Sequence, residues 1–266
     1  MIKSPLRYPG GKSKALRQIT PLIPDFEEYR EPFVGGGSVF AHTRQTCQNR
    51  IFWINDLHTN LYQFWKAVGE HPDHLVQQVK EWKKSFSDGK LLYRFLLDNM
   101  SDFPAVKQGA AFFVLNRLTF SGTTESGGYS RQAYEKRFTD SSIERLIRFV
   151  PLLEEVKVTN LDYEHLVLSP GKKVFLFLDP PYYSATNSAL YGKKGNLHKQ
   201  FDHERFAKVL KNCPHQWLIT YDDSNYIRDL FSFARIRSWH LTYGMRNVGN
   251  TSNQRAREIF ISNYSF

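Results

Sequence analysis

The run Val174-Phe175-Leu176-Phe177-Leu178 leads directly into Asp179-Pro180-Pro181-Tyr182, and how this stretch is read decides the fold. Five consecutive apolar residues stopped by prolines fit a short buried strand. Such a strand, ending in a carboxylate, two prolines and an aromatic ring, delivers an acceptor, a rigid backbone and a stacking surface to one edge of a sheet. In open α/β folds that edge is where ligands bind. The paired prolines fix two φ angles and remove two N–H donors, so the Pro180 carbonyl is free to point into a cleft. Tyr182 can then lie flat against a planar base. Taken by itself, the tetrapeptide also fits a proline-rich turn after a strand.

The flanking sequence supplies the rest of an α/β fold. Lys12 to Leu22 places Ala15, Leu16, Ile19 and Leu22 at helical spacing before Pro24, predicting a first helix after the Pro9-Gly10-Gly11 turn. Glu31-Pro32-Phe33-Val34 enters Gly35-Gly36-Gly37, with a second helix expected from Ser38. Arg50 to Ile54 is β-rich and ends at Asn55-Asp56. Further strands are expected at Val156–Thr159, Val174–Leu178, Gln216–Tyr221, Ile236–Leu241 and Glu258–Asn263. Between Asp56 and Val156 the apolar residues recur at helical spacing, as in Leu57, Leu61, Phe64 and Val68. The chain therefore divides into a sheet-bearing part, residues 1–56 and 156–266, and a mostly helical insertion, 57–155. Near 119–131 the helical pattern breaks into glycines and short polar side chains, which predicts a hairpin or loop. Long polar loops of that kind are uncommon in compact domains unless they bind something.

The chain has 266 residues and a formal net charge of +10. A basic balance favours a polyanionic partner, because each neutralised phosphate releases counterions. Cys47 and Cys213 are the only cysteines, and neither sits in a C-x-x-C pair or at ligand spacing from a histidine. That argues against a zinc site or a disulfide framework, and no metal is expected. The opening residues Met1-Ile2-Lys3-Ser4-Pro5-Leu6-Arg7 lack the apolar stretch expected of a signal peptide, and no run reaches the roughly 20 apolar residues of a membrane span. The expectation is a cytoplasmic protein with no membrane partner.

The glycine loop lets backbone approach a ligand closely, and the helix N-terminus behind it offers free N–H groups. It fails the dinucleotide G-x-G-x-x-G pattern because Phe40 occupies the place of the last glycine. Lys12-Ser13 resembles the end of a P-loop, but the first glycine of that motif would fall at Leu6. Asp56 lies about 20 residues beyond the glycines, where a carboxylate can accept hydrogen bonds from both ribose hydroxyls. Nicotinamide dinucleotides and S-adenosylmethionine both carry that sugar. Tyr8, Lys12 and Asp179 would meet the loop at the same sheet edge, adding an aromatic face, a cation for a carboxylate and an acceptor near a sulfonium. Phe33 adds a hydrophobic wall, or serves as a core residue.

These residue types suit methylation of an exocyclic amine. An aromatic amine such as adenine N6 is a poor nucleophile because its lone pair is delocalised into the ring. If Asp179 and the Pro180 carbonyl accept its two hydrogens, the nitrogen is drawn toward sp³ geometry and can attack a methyl group in line. Positioning and a carboxylate placed where positive charge grows carry such a reaction, with no covalent enzyme intermediate.

Leu6-Arg7-Tyr8-Pro9-Gly10-Gly11-Lys12, Glu31-Pro32-Phe33-Val34-Gly35-Gly36-Gly37-Ser38, Asn55-Asp56 and Asp179-Pro180-Pro181-Tyr182 resemble, in order and spacing, the motifs of the Dam family of DNA adenine-N6 methyltransferases (D12 class, alpha group). The resemblance covers most of the chain. It implies a Rossmann-like S-adenosylmethionine-dependent methyltransferase fold with a target-recognition insertion. It also implies cofactor contacts at Tyr8, Lys12, Phe33, Gly35, Gly37, Asp56, Asp162 and Asp179, and catalysis by Asp179, Pro180, Pro181 and Tyr182. The implied partner is double-stranded DNA, with a cognate restriction endonuclease as a further possible partner.

Residues 57–155 hold 13 Lys plus Arg against 12 Asp plus Glu, a net of +1, so most of the basic charge lies outside the insertion. Base reading needs only a few side chains, and the candidates are Arg117, Arg131 and Lys136, each of which also fits a solvated surface charge. After the tetrapeptide, Lys193, Lys194 and Lys199 stand among glycines and can clamp phosphates around an extruded base. Arg246 and Asn247 begin a second polar, basic stretch. The loop lacks the family's best-known hairpin sequence, so GATC recognition does not follow. The competing readings are an amino-methyltransferase on cytosine N4, an RNA base or a protein glutamine, an NAD-dependent oxidoreductase, and a DNA-binding module on a degenerate methyltransferase fold. A zinc deaminase is excluded, since no H-x-E with P-C-x-x-C exists.

Overall fold

The computed structural model describes residues 1–124, 127–183, 201–241 and 256–266. Among these, one sheet is built from β1 (Glu28–Glu31), β2 (Ile51–Asn55), β3 (Val156–Thr159), β4 (Val174–Leu178), β5 (Gln216–Asp222), β6 (Arg235–Leu241) and β7 (Ala256–Ser262). Their order is β3-β2-β1-β4-β5-β7-β6. The strands β1 to β5 pair in parallel, while β7 runs antiparallel to both β5 and β6. All five residues of β4 are buried. Phe175 and Phe177 enter the apolar cluster on one face, and Val174, Leu176 and Leu178 enter the cluster on the other. Burial on both faces is why this strand reads as an unbroken apolar run.

The strand β1 has no such signature. Its sequence is Glu28-Tyr29-Arg30-Glu31, and the sequence pattern predicted no strand there. Arg30 is nonetheless only 1 % exposed. Its guanidinium donates to Glu28 Oε1 at 2.6 Å and to the carbonyls of Leu166, Ser169 and Pro170 at 2.7, 2.6 and 2.9 Å. Glu31 is buried as well and accepts a 2.6 Å hydrogen bond from the Tyr29 hydroxyl. Ionisable side chains occupy a central strand because each is hydrogen-bonded locally, which removes most of the penalty of burying it.

The predicted first helix is broken into pieces. A short α1 (Leu16–Ile19) is flanked by 3₁₀ turns at Lys12–Lys14 and Thr20–Leu22. Pro21, at the start of the second turn, supplies no N–H for a continuous α-helical ladder. The expected second helix forms as α2 (Ser38–Thr46).

Between β2 and β3 the chain passes through α3 (Thr59–Glu70), α4 (Pro72–Ser85), α5 (Gly89–Asn99), α6 (Ala105–Leu118), α7 (Arg131–Arg137) and α8 (Asp140–Phe149). Every residue of α6 from Gly109 to Leu118 is buried. A Cβ on Gly109 would lie 2.7 Å from the Gln63 carbonyl oxygen, so only glycine lets α6 cross α3 this closely. These helices share one apolar cluster with Tyr29, Phe52, Phe175 and Phe177 of the sheet. The opposite face is covered by α9 (Tyr163–Leu168), α10 (His203–Lys211) and α11 (Asn225–Leu230). After α6, Thr119 and Tyr129 make an isolated antiparallel bridge around a 3₁₀ turn at Phe120–Gly122. No helix among the described residues is long and apolar enough to cross a membrane.

Burial pushes the Glu31 carboxyl well above its ordinary 4.5, and the nearby Asp179 and Asp56 act in the same direction against the lowering bond from Tyr29. Below pH 4.5 the folded and unfolded chains both hold this proton. Above it the unfolded chain releases the proton and the folded chain keeps it, so this group's stabilising contribution falls by about 1.4 kcal/mol per pH unit until the raised pKa is passed. Glu31→Gln should therefore flatten the decline of stability with rising pH, read as urea midpoints across that window. Parallel curves for the two proteins would show that Glu31 is ionised in the fold.

Candidate active site

Strand order reverses between β1 and β4, because the connections from β1 and from β4 lead to opposite sides of the sheet. Crevices at such a point, outside the carboxyl ends of the strands, are where open α/β sheets bind ligands. Beyond β1, Gly35 and Gly37 adopt φ of +46° and +64°, values that strongly favour glycine. The Tyr8 ring packs against this loop so closely that a Cβ on Gly36 would stand 2.6 Å from the Tyr8 Cβ. Gly37 is the N-cap of α2 and makes no side-chain capping bond.

Asp56, following β2, closes the loop from the side. Its Oδ2 accepts from the Gly35 amide at 2.9 Å and its Oδ1 from the His58 amide at 3.0 Å. Burial raises its pKa, partly offset by those two amides. Each carboxylate oxygen keeps a further lone pair for a ligand donor. Asn55, 1 % exposed, ties the same strand end to the turn after β3. It accepts from Leu161 N and Thr159 Oγ1 at 2.8 Å each, and donates to the carbonyls of Pro32 at 3.0 Å and Leu161 at 2.9 Å.

Asp179, directly after β4, stands at the centre. Lys12 Nζ lies 2.8 Å from Asp179 Oδ1, 3.0 Å from the Gly10 carbonyl and 4.9 Å from the centre of the Tyr182 ring. The lysine is only 4 % exposed. Thr220 on β5 donates to the same Asp179 oxygen at 2.7 Å. The Tyr182 hydroxyl donates to Glu258 Oε2 at 2.8 Å, from a residue on β7 that is 1 % exposed. Lys12, Asp179 and Tyr182 are thus brought together. Lys12 faces the Asp179 carboxylate, whereas the sequence suggested it as a cation for a ligand carboxylate.

Phe33, just before the glycine loop, packs its ring 5.6 Å from Tyr163 and 5.8 Å from Phe201 and Phe206, half-buried against the apolar cluster on the α9 side of the sheet. Asp162 caps α9 through the Glu164 amide at 3.0 Å, and Arg205 reaches both its oxygens at 3.1 Å.

Asn116 on α6 clamps the N-terminal segment. Its Oδ1 accepts from Arg7 N at 3.0 Å, and its Nδ2 donates to the carbonyls of Arg7 and Gly122 at 2.7 and 2.9 Å. Arg117 departs from the solvated surface charge that its sequence context allowed. It is 3 % exposed, its Nε has no hydrogen-bond partner, and its guanidinium packs 5.1 Å from the Phe113 ring centre. Burial, with Arg145, Arg7 and Arg137 nearby, pulls it down to about 9. Arg131 is exposed on α7 and pairs with Glu135 at 2.8 Å, and Lys136 is exposed one turn later. Lys193, Lys194, Lys199, Arg246 and Asn247 lie outside the described residues.

Thr220, Glu258, Asn116 and Asn55 went unassigned in the sequence. Thr220 and Asn116 were visible as polar residues inside apolar segments, Leu218-Ile219-Thr220-Tyr221 and Val114-Leu115-Asn116, but nothing local names their partners.

Residues 8–245 match the family described as D12 class N6 adenine-specific DNA methyltransferase. A Type II methyltransferase, M.MjaIII, of Methanocaldococcus jannaschii is 27% identical over 203 residues, covering 68% of this chain and 69% of its own. A DNA adenine methylase of Vibrio cholerae is 24% identical over 243 residues, covering 87% and 85%. A DNA N-6-adenine-methyltransferase of Escherichia phage P1 is 26% identical over 244 residues, which is 88% of this chain and 32% of the phage protein, so the chain spans about a third of that relative's length. The sheet order, the glycine loop and the strand-end acids fit an S-adenosylmethionine-dependent methyltransferase fold. The chain belongs to the D12 class of N6 adenine-specific DNA methyltransferases, and its activity is site-specific methylation of adenine in DNA.

Proposed function

We propose that the crevice between the glycine loop, Asp56 and Asp179 binds S-adenosylmethionine and an adenine extruded from double-stranded DNA, and that Asp179 with the Pro180 carbonyl prepares the N6 amine for direct methyl transfer. The observation that carries this reading is the position of the Asp179 carboxylate, fixed at the strand-order reversal beside the Lys12 segment that also packs on the glycine loop.

The residues fit the cofactor. Asp56 offers a partly buried carboxylate to a ribose diol, positive-φ glycines leave the loop free of side chains, and α2 presents amides with no side-chain cap. Tyr8 and Phe33 supply apolar surface. Asp162 closes the adenine end of the pocket, where Arg205 competes for its carboxylate. When bound, S-adenosylmethionine supplies a methyl group carried on a positively charged sulfur. Asp179 then accepts one hydrogen of the target amine and the Pro180 carbonyl the other, which localises the nitrogen lone pair. The carboxylate would also stabilise the positive charge that grows on nitrogen as the N–C bond forms and the methyl–sulfur bond breaks, leaving S-adenosylhomocysteine, after which the methylated nitrogen gives up one proton to solvent. Tyr182, held by Glu258, presents its ring to the base. A paired adenine cannot reach this crevice, so the base leaves the stack at a cost of a few kcal/mol.

In this reading the helical segment 57–155 recognises the DNA. Arg7, Arg117, Arg137 and Arg145 form a cationic group beside the crevice, and Arg117 has an unpaired Nε while Arg137 has an unpaired Nη1. A guanidinium holds its proton tenaciously, so the cost of burying Arg117 is best offset by an incoming anion such as a DNA phosphate. Arg131 and Lys136 add exposed donors on α7. A restriction endonuclease reading the same duplex word is the partner this proposal assigns in a restriction setting, supported by the relative named a Type II methyltransferase. In this reading the enzyme is cytoplasmic, encoded by a bacterium or a phage, and associates with the nucleoid when it is bound to DNA.

Two outcomes test this reading. Asp179→Ala should lower single-turnover formation of N6-methyladenine by about a hundred- to a thousandfold or more, measured by hydrolysing the product DNA to nucleosides. Wild-type turnover would remove Asp179 from the chemistry, and N4-methylcytosine in the wild-type product would change the acceptor. Arg117→Met should weaken duplex binding and reduce the salt slope of log K by about 0.9, the value for one phosphate contact, while leaving the free protein equally or more stable because a buried unpaired charge is gone. Unchanged DNA affinity would separate Arg117 from the DNA.

A further inference from the structure

Thr220 is fully buried on β5, one residue beyond the Leu178–Ile219 pair that joins β4 to β5. Continuing that register sets Asp179 opposite Thr220, and the threonine hydroxyl donates to Asp179 Oδ1 at 2.7 Å. Lys12 Nζ meets the same oxygen at 2.8 Å. A carboxylate oxygen has two lone pairs, so these two donors fill Oδ1. Oδ2 receives no hydrogen bond from the described residues, and the Asp179 side chain keeps 21% of its exposure.

The two donors do different work. An ammonium is a compact charge with rotatable donors on a flexible stem, so it attracts a carboxylate without fixing the carboxylate's plane. The terminal torsion of aspartate is itself broad and roughly two-fold, so one such contact leaves either oxygen free to face the cleft. Threonine is stiff at χ1, and here its backbone is locked into a central strand. Its hydroxyl therefore specifies which oxygen turns inward toward β5 and which remains for a ligand. Packing alone does not call for the hydroxyl, since valine would fill the same space.

We propose that Thr220 is a positioning residue for methyl transfer, holding Asp179 so that Oδ2 is the oxygen that receives the amine hydrogen. The proposal rests on the reading of Asp179 as the amine acceptor.

Thr220→Val removes the hydroxyl at nearly constant shape, and Thr220→Ser restores it. Methyl transfer is measured in single turnover with saturating S-adenosylmethionine and duplex DNA, beside S-adenosylhomocysteine affinity, thermal midpoint and the Asp179→Ala variant. Thr220→Val should be slowed about 10- to 100-fold, the scale of a small misplacement of a reacting group. Its cofactor-product affinity and thermal midpoint should stay near wild type, and Thr220→Ser should recover most of the rate. A wild-type rate for Thr220→Val beside an inactive Asp179→Ala would overturn the role of Thr220 and leave that of Asp179. A slow Thr220→Val that melts early, with no rescue by serine, would also overturn it, by assigning Thr220 to the fold alone. Full activity of Asp179→Ala would instead remove the reading beneath the proposal.

Discussion

One carboxylate oxygen, Oδ1 of Asp179, joins three parts of the chain that are far apart in sequence. Lys12 reaches it from the N-terminal segment, Thr220 from β5, and Asp179 itself ends β4. The parallel register of β1, β4 and β5 makes that meeting possible, because it carries three strand ends to one edge of the sheet. Lys12 is almost wholly buried, and a buried cation is tolerated only when paired and hydrogen-bonded. Removing its partner would leave a stranded charge, so the ion pair constrains the fold as well as the site.

The same N-terminal segment links the crevice to the helices. Tyr8 lies against the glycine loop, while Arg7, its neighbour, is clamped at both its amide and its carbonyl by Asn116 of α6. Gly122 takes a third bond from the same side chain, and its φ of +77° lets the turn after α6 come up against Arg7. The residue that packs on the glycine loop and the residue clamped by α6 are therefore adjacent in the chain and share one hydrogen-bonded anchor. The helical segment also shares its apolar cluster with one sheet face, so the cationic group near Arg117 is carried on well-packed elements.

Much of this was legible in the residues. The strand β4 announced itself because a strand covered on both faces must be apolar throughout, and the motifs at Gly35, Asp56 and Asp179 carry their own chemistry at recognisable spacing. The strand β1 was hidden, since Glu28-Tyr29-Arg30-Glu31 owes its burial to carbonyls of Leu166, Ser169 and Pro170 that no local pattern reveals. The burial of Arg117 escaped for the opposite reason. A charge at the end of a helix reads as solvated, yet α6 is enclosed by its neighbours up to Leu118. Thr220 and Glu258 stayed silent because their partners, Asp179 and Tyr182, are 41 and 76 positions away. The first helix was drawn from apolar spacing through to Pro24, and Pro21 within that span, which breaks it into separate turns, was passed over.

The most direct measurement is a crystal structure with duplex DNA and a non-reactive analogue of S-adenosylmethionine. Asp179 Oδ2 and the Pro180 carbonyl should then each lie within hydrogen-bonding distance of N6 on an extruded adenine, with Oδ1 still held by Thr220. A carboxylate turned away from the amine, or an adenine that stays stacked in the duplex, would contradict the mechanism.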